Sequence, residues 1–346
     1  METDLTRLVG VRHPVVQTGM GWVAGPRLVS ATAAAGGLGI LASATMSYPE
    51  LVAAIRETRA RTTEPFGVNL RADAADAARR VELLIETGVR VASFALAPRP
   101  EQIARLRAGG VLVIPTVGSV RHAEKVAGWG ADAVIVQGGE GGGHTGSIAT
   151  TLLLPSVVDS VRIPVIAAGG FFDGRGLAAA LAYGAAGIAM GTRFLLTAES
   201  PVPEAVKRAY LSAGLADTVV TTKVDGVPHR VLRTGLVETL ERTGSVRGLL
   251  HALRNAARFR AATGRSLPDL LREGRAVRRA RGLTWSQTIM AANTPMLLRS
   301  ALVDGNPHTG VLAAGQVTGL LTDLPSCAEL ITHIVTQARD ILGRLP

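Results

Sequence analysis

Cysteine, aromatic residues and charged residues are all scarce in this chain of 346 residues. Its single cysteine, Cys327, excludes an internal disulfide, so the sequence fits a reducing cytosol, and the thiol itself is expected to be a small buried hydrophobe. Only 3% of the residues are aromatic, so the core must consist mainly of Ala, Val, Leu and Ile. Because 47% of the residues are hydrophobic, the chain can bury a large core, and a disordered protein is not expected.

Targeting signals and several catalytic motifs are also missing. The N-terminus lacks the basic and apolar regions of a signal peptide, so a cytoplasmic location is expected. Residues 28–49 carry no charge and are long enough to span a bilayer, but glycines and a proline interrupt them. We therefore expect a helix followed by a strand there, and no membrane span. No Gly-x-Ser-x-Gly elbow or Walker loop occurs.

The seven histidines form no His-x-x-x-His pair and no cluster with cysteine, so no metal site is expected. One match to a dinucleotide fingerprint does occur, Gly19-x-Gly21-x-x-Ala24. A Rossmann fold also needs an acidic residue at the end of the next strand. That strand ends at Ala42 without one, so the match is attributed to the abundance of glycine.

Positive charge is concentrated in one segment. The chain carries a net charge of +10, and residues 242–281 account for +9 of it, with eleven Arg against Asp269 and Glu273. The segment is interpreted either as a solvated helical face or as a surface that attracts an anion such as a CoA thioester, an acidic partner or a membrane surface. Nucleic acid is not expected as a partner, because Phe259 is the only aromatic residue there that could stack on a base.

Short apolar runs alternate with helical patterns at a steady interval. Eight such runs are each followed by a helical pattern within about 215 residues, which is the length that a (β/α)8 barrel needs. Most runs do not alternate in polarity, as is typical of strands buried on both faces. The alternative is a doubly wound open sheet. The predicted strands are residues 13–19, 39–43, 66–70, 89–96, 111–117, 132–138, 164–170 and 187–194.

The regular alternation of apolar runs and helical patterns ends after Thr218. This change sets the predicted domain boundaries. The fold class is α/β, a TIM barrel over residues 1–218, with an Arg-rich helical segment inserted or appended. Residues 219–300 are predicted to be a helical substrate or lid segment. Residues 301–346 are predicted to return to the barrel and to end in a helix opened by Leu324-Pro325-Ser326.

The loops that follow the strands are the candidate functional positions, because barrels carry their sites at that end. The loop after the sixth strand holds six glycines and His144, a side chain that can take a proton near pH 7. The alternative interpretation of this loop is a flexible linker with a solvated histidine. Gly169-Gly170 follows the seventh strand and Gly191-Thr192 the eighth, where barrels commonly bind phosphate through backbone N–H groups. The alternative for Gly169-Gly170 is an ordinary tight turn.

Asn69 ends the third predicted strand, where it can hydrogen-bond a polar ring edge or serve as a turn or helix cap.

Six ordered motifs in the chain resemble those of the nitronate monooxygenase (2-nitropropane dioxygenase-like) family. They begin at Gln17, Ala35, Phe66, Gln137, Ala167 and Met190, and the resemblance resumes at Ala314-Gly-Gln316. Flavin-dependent enoyl-thioester reductases share much of this pattern. The chain departs from it where Gly19 replaces the more usual proline and in its long Arg-rich segment. It also resembles an actinobacterial branch of the family that acts on CoA thioesters in steroid-ring catabolism.

The resemblance implies a (β/α)8 barrel that holds FMN, with His144 as the catalytic base. The residues that it implies for FMN binding are Gln17, Gly19, Met20, Asn69, Gln137, Gly142, Gly143, Ala168, Gly169, Gly170, Gly191, Thr192 and Gln316. The expected activity is removal of a proton next to a nitro or carbonyl group, with electrons passing to FMN and then to oxygen. One alternative is a flavin-dependent dehydrogenase or reductase of an acyl-CoA thioester. Another is a flavin-binding sensor without turnover. The expected partner is a small molecule, a nitronate or an acyl-CoA, and homo-oligomerisation is left open.

Overall fold

The computed structural model describes residues 1–95, 97–242 and 296–344. The chain forms two compact units. The barrel unit comprises Met1–Gly141, Thr145–Pro201 and Leu321–Pro346. The second unit comprises Gly142–His144 and Val202–Leu320. The Arg-rich segment, apart from Arg242, and most of the helix predicted over 283–298 lie outside the described residues.

Strands and helices alternate through the barrel unit. The strands are β1 (Val15–Gln17), β2 (Leu38–Ala42), β3 (Phe66–Leu70), β4 (Val91–Phe94), β5 (Leu112–Val117), β6 (Val134–Gln137), β7 (Gly143–His144), β8 (Val165–Ala168) and β9 (Gly187–Met190). The helices are α1 (Asp4–Val9), α2 (Pro26–Ala34), α3 (Tyr48–Arg61), α4 (Ala77–Glu86), α5 (Pro100–Ala108), α6 (Val120–Gly128), α7 (Thr150–Ser160), α8 (Gly174–Ala182) and α9 (Thr192–Leu195). All of these belong to the barrel unit except β7.

The parallel sheet closes on itself. The strand order is β1, β2, β3, β4, β5, β6, β8 and β9, and β9 pairs with β1 through Val16–Ala189 and Gln17–Met190. The predicted TIM barrel is therefore confirmed, and the open sheet is excluded. The uncharged stretch 28–49 forms α2 and β2, as expected. The predicted strand 187–194 is too long, because residues Thr192–Leu195 form α9 instead.

Local capping explains where several helices begin. Ser47 accepts a hydrogen bond from the backbone N–H of Glu50, and the Glu50 carboxylate accepts one from the N–H of Ser47 at 2.6 Å. Ser326 and Glu329 form the same reciprocal pair at the start of the C-terminal helix (Cys327–Leu342). Each pair satisfies N–H groups that have no partner inside the helix. The predicted closing helix thus begins directly after Ser326.

Aliphatic residues fill the barrel, as the shortage of aromatic residues predicts. One buried cluster joins Val16, Ile40, Ile135 and Ile166 from four strands with Leu5 from α1. The C-terminal helix packs closely on α8, since a Cβ on Gly174 would lie 2.5 Å from the carbonyl oxygen of Ile334. Among the described residues, no helix is both long and apolar enough to cross a membrane.

The second unit contains an antiparallel sheet of three strands. Its strands β10 (Thr218–Thr221) and β11 (His229–Leu232) pair with each other, and β11 also pairs with β7. Helices α10 (Glu204–Leu211) and α11 (Gly235–Arg242) flank these strands in the sequence. The sequence predicts a helical segment from residue 219 onward, and the structure differs because its first residues pair as strands. The predicted boundaries at 218 and 300 stay a prediction.

Candidate active site

The carboxyl ends of the barrel strands bring several of the predicted cofactor residues together. Gln17 of β1 is in register with Met190 of β9, and Gln137 of β6 is in register with Ala168 of β8. Because all eight strands are parallel, their carboxyl ends lie at one end of the barrel. The predicted positions at the ends of strands one, six and seven therefore share that end.

Two close approaches tie the first loop to its neighbours. A Cβ on Gly19 would lie 2.5 Å from Cβ of Asn69, so only glycine fits there. A Cβ on Gly191 would lie 3.5 Å from Sδ of Met20. The side chain of Asn69 is buried, and its Nδ2 donates to Oγ of Ser93 at 3.4 Å. These contacts group four predicted cofactor residues, Gly19, Met20, Asn69 and Gly191, within the barrel unit.

Gln17 has an unusual environment for a buried amide. Its side chain is fully buried, and its Nε2 donates to the carbonyl oxygens of Thr18 and Ile40. Its Oε1 has no hydrogen-bond partner among the described residues. A buried acceptor without a partner costs free energy, so it is a place where a bound ligand's donor is favourable.

The Gly169-Gly170 turn follows β8 in a conformation that glycine permits. Both residues have left-handed backbone, with φ of 92° and 85°. The carbonyl oxygen of Gly169 accepts a hydrogen bond from Oγ1 of Thr150 at 3.0 Å. The same hydroxyl lies 2.7 Å from the Glu140 carboxylate, so its single proton is shared between this turn and the glycine-rich loop. Gly191 directly precedes α9, and the buried Thr192 is the first residue of that helix.

His144 and three other predicted residues belong to the second unit. A Cβ on Gly142 would lie 2.5 Å from the backbone nitrogen of Gly315, directly before Gln316. Gly143 is in register with Arg230 and His144 with His229. The second unit thus holds Gly142, Gly143, His144 and Gln316, while the other predicted cofactor residues belong to the barrel unit.

An aspartate and a second histidine surround His144, and the sequence analysis did not identify either of them. Nε2 of His144 lies 2.5 Å from Oδ2 of Asp225. The ring of His229 lies 4.6 Å from that of His144, between centroids, and its Nδ1 lies 3.8 Å from Oδ2 of Asp225. Asp225 and His229 are both 3% exposed, whereas the His144 side chain is 52% exposed. The signal in the sequence was a turn dipeptide, Asp225-Gly226, which marks a turn but no chemistry.

The Asp225 carboxyl is charged despite its burial. Burial alone would raise its pKa, but the hydrogen bond with His144 and the nearby His229 outweigh it and hold the pKa of Asp225 well below its usual range. A buried carboxylate paired with a half-exposed imidazole is an arrangement that can move a proton.

The same three side chains could in principle share a metal ion, because one ligand atom from each lies within 4.8 Å of the others. Two ligands on one zinc ion lie about 3.3 Å apart, since each bond is about 2.0 Å long and the angles are tetrahedral. The 2.5 Å between His144 Nε2 and Asp225 Oδ2 is shorter and corresponds to a hydrogen bond.

Comparison with known proteins gives relatives that match all or about two thirds of the chain. A protein from Rhodococcus jostii named (3aS,4S,5R,7aS)-5-hydroxy-7a-methyl-1-oxo-octahydro-1H-indene-4-carboxyl-CoA dehydrogenase is 66% identical, over 100% of this chain and 99% of that protein. One from Mycobacterium tuberculosis with the same name is 67% identical over 98% and 96%. A probable nitronate monooxygenase from Staphylococcus saprophyticus is 32% identical over 69% of this chain and 81% of that protein.

A solved structure and a family model agree with these relatives. The structure of FabK from Thermotoga maritima superposes with a TM-score of 0.80, at 35% identity over 99% of this chain and 98% of that one. The model of the nitronate monooxygenase family matches residues 2–337. The chain therefore belongs to the nitronate monooxygenase family, as its motifs predict, and is an oxidoreductase for which the family implies a flavin cofactor.

Proposed function

We propose that the protein is an FMN-dependent dehydrogenase of an acyl-CoA thioester and that His144 is its catalytic base. The observation that carries the base is the hydrogen bond of 2.5 Å between His144 and the buried Asp225. The choice of substrate rests on the relatives at 66% and 67% identity, which are both named as dehydrogenases of a carboxyl-CoA compound. This substrate was an alternative in the sequence analysis, and identity over nearly the whole chain now favours it.

The barrel residues fit FMN. Oε1 of Gln17, buried without a partner among the described residues, can accept a hydrogen bond from the ring edge. The left-handed turn at Gly169-Gly170 and the turn at Gly191-Thr192 can offer backbone N–H groups to the phosphate. Gly19, Met20 and Asn69 would flank the ring. When bound, FMN supplies an acceptor for two electrons.

The chemistry of the named substrate class suits a histidine base. The carbon that bears the CoA carboxyl lies next to the thioester carbonyl, which makes its proton more acidic. In the relatives' named substrate, the neighbouring carbon bears a hydroxyl group. His144 would take the first carbon's proton, and the neighbouring carbon would lose its hydrogen with two electrons. The substrate is then oxidised by two electrons, and the proton stays on the imidazole until solvent removes it.

Nitronate oxidation is the second candidate. The family model and the relative from Staphylococcus saprophyticus favour it. A nitro group acidifies the adjacent carbon as a carbonyl does, so the same base would serve. The third candidate, a sensor without turnover, is not retained, because the family and the named relatives indicate an enzyme.

An anaerobic titration of the purified protein tests the proposal. The visible spectrum should show flavin bands, and the released cofactor should have the mass of FMN. A 3-hydroxyacyl-CoA of a fused-ring acid should bleach the bands, and an alkyl nitronate should not. Bleaching by the nitronate alone would replace the proposal with the second candidate. A colourless protein that takes up no FMN on reconstitution would refute both.

A pair of histidine variants tests the base. We expect His144→Ala to keep FMN and to lose turnover by about 10²- to 10⁴-fold, the usual contribution of a general base. His122 is exposed on α6 of the barrel, so His122→Ala is a matched control that should keep full activity. Equal activity of the two variants would contradict the assignment of His144.

A further inference from the structure

Asp225 occupies a position that suits it to act through His144. It lies in the connection between β10 and β11, four residues before His229, which is the first residue of β11. Its Oδ1 accepts the backbone N–H of Val227 at 3.1 Å, which fixes the plane of the carboxylate. Its Oδ2 is then directed to Nε2 of His144 at 2.5 Å. The carboxylate is therefore held by its own turn and is only 3% exposed.

The hydrogen bond determines which nitrogen of the imidazole is basic. A carboxylate accepts hydrogen bonds and does not donate them, so Nε2 must carry the proton when His144 is neutral. The lone pair is then on Nδ1, which becomes the atom that can receive a proton. Once Nδ1 is protonated, the ring is a cation, and the adjacent carboxylate stabilises that charge.

We propose that Asp225 is the positioning residue of the reaction: it fixes the Nε2–H tautomer of His144 and stabilises the imidazolium that forms when the substrate's proton is taken. The inference rests on the proposed function of His144 as base. In the part of the chain that the structure describes, the titratable groups that face the Asp225 carboxylate are His144 from β7 and His229 from β11. The carboxylate remains an anion at every pH above its ordinary value of about 3.9, so it can serve over the whole range of an activity assay.

The ring of His229 lies against that of His144. The cross-strand register places the two rings 4.6 Å apart at an interplanar angle of 47°. The 3.8 Å between His229 Nδ1 and Asp225 Oδ2 is too long for a hydrogen bond. Oδ2 of Asp225 therefore makes its hydrogen bond with His144 and not with His229.

Asp225→Asn is the decisive variant, because an amide can donate and so allows the opposite tautomer. We expect kcat to fall about 10²- to 10⁴-fold while KM and the Kd for FMN stay within about threefold of wild type. The exchange of the substrate's acidic C–H with D2O, followed by NMR in the FMN-loaded enzyme, should fall by the same factor. Asp217→Asn is the matched control, since Asp217 is an exposed aspartate of the same unit. It should change none of these values.

The double variant separates this inference from the proposed function. If Asp225 acts through His144, adding Asp225→Asn to His144→Ala should cause no further loss of kcat. An inactive His144→Ala beside a fully active Asp225→Asn would overturn the positioning role and leave the base intact. An active His144→Ala would overturn the base itself, and the role of Asp225 with it.

One further measurement needs no variant of Asp225 and covers the case in which Asp225→Asn does not fold. Long-range ¹⁵N–¹H correlation spectra of the ¹⁵N-histidine-labelled holoenzyme distinguish the two neutral tautomers, and the His144 signal is identified by its loss in His144→Ala. We expect the Nε2–H tautomer. An Nδ1–H tautomer would overturn the inference. Metal analysis of the purified protein could also overturn it. If the wild-type protein bound one equivalent of zinc and His229→Phe bound none, the metal would replace the hydrogen bond between His144 and Asp225.

Discussion

One added methyl group at Gly19 tests whether the close packing of Gly19 on Asn69 is needed for FMN binding. In Gly19→Ala the new Cβ would lie 2.5 Å from Cβ and 3.2 Å from Cγ of Asn69. Carbon atoms in contact are normally about 3.5–4.0 Å apart, so one of the two must move by about 1 Å. Cβ of Asn69 is attached to β3, which pairs with β2 and β4, and it cannot move without the strand. Overpacking of this kind costs about 1–3 kcal/mol.

The assay compares the Kd for FMN and the thermal stability of the apoprotein. If the overpacking cost of about 1–3 kcal/mol falls only on the FMN-bound protein, the affinity for FMN should weaken about 5- to 150-fold. The conversion uses a factor of ten in Kd for each 1.4 kcal/mol. Gly25→Ala is the matched control, because nothing lies within 4 Å of a Cβ there. Wild-type affinity and wild-type stability together in Gly19→Ala would refute the reasoning. Lower stability with unchanged affinity would show that the cost falls equally on the free and the FMN-bound protein.

Two further predictions concern the barrel itself. A Cβ on Gly39 would lie 2.9 Å from Cα of Val29, so Gly39→Ala should lower the free energy of unfolding by about 1–3 kcal/mol, whereas Gly128→Ala, with open space, should not lower it. Equal melting temperatures of these two variants would contradict this. Burial raises the pKa of the Cys327 thiol to about 12, so the unreactive neutral thiol persists up to about pH 10. Iodoacetamide should therefore modify Cys327 only after denaturation, and rapid labelling of the native protein would contradict this.

The barrel could be predicted because its signals are local and repeated. Each strand is a short apolar run, and each is followed by a helix with its own amphipathic pattern. The one strand predicted too long shows the limit of this signal. The run that ends β9 continues into the buried Phe194 and Leu195, and a short apolar run does not distinguish a strand from a buried helical turn.

The second unit was harder to predict because its organisation depends on distant pairing. β7 has two residues, and its partner β11 lies more than 80 residues later in the chain. No local sequence pattern indicates such a strand. Neither Asp225 nor His229 could therefore be grouped with His144 from the sequence. The barrel residues were easier, because parallel strands place all their carboxyl ends together whatever their register.

The glycines before His144 act by close packing, and this leads to a last prediction. The sequence allowed a flexible linker here, but Gly139 donates to the Ile148 carbonyl at 2.7 Å, and Gly142 packs on the backbone at 314–315. In Gly142→Ala the new Cβ would lie 2.6 Å from the carbonyl carbon of Ala314, so β7 could not keep its place beside β11.

We expect Gly142→Ala to lower kcat at least tenfold, because a displacement of about 1 Å at a catalytic group can cost 10²-fold. Gly146 lies in the same loop, and a Cβ there would meet nothing closer than 4.0 Å, so Gly146→Ala should keep its activity. If the loop were only a flexible linker, both variants would be equally active. A selective loss in Gly142→Ala would show that the pairing of β7 with β11 is what presents His144 for reaction.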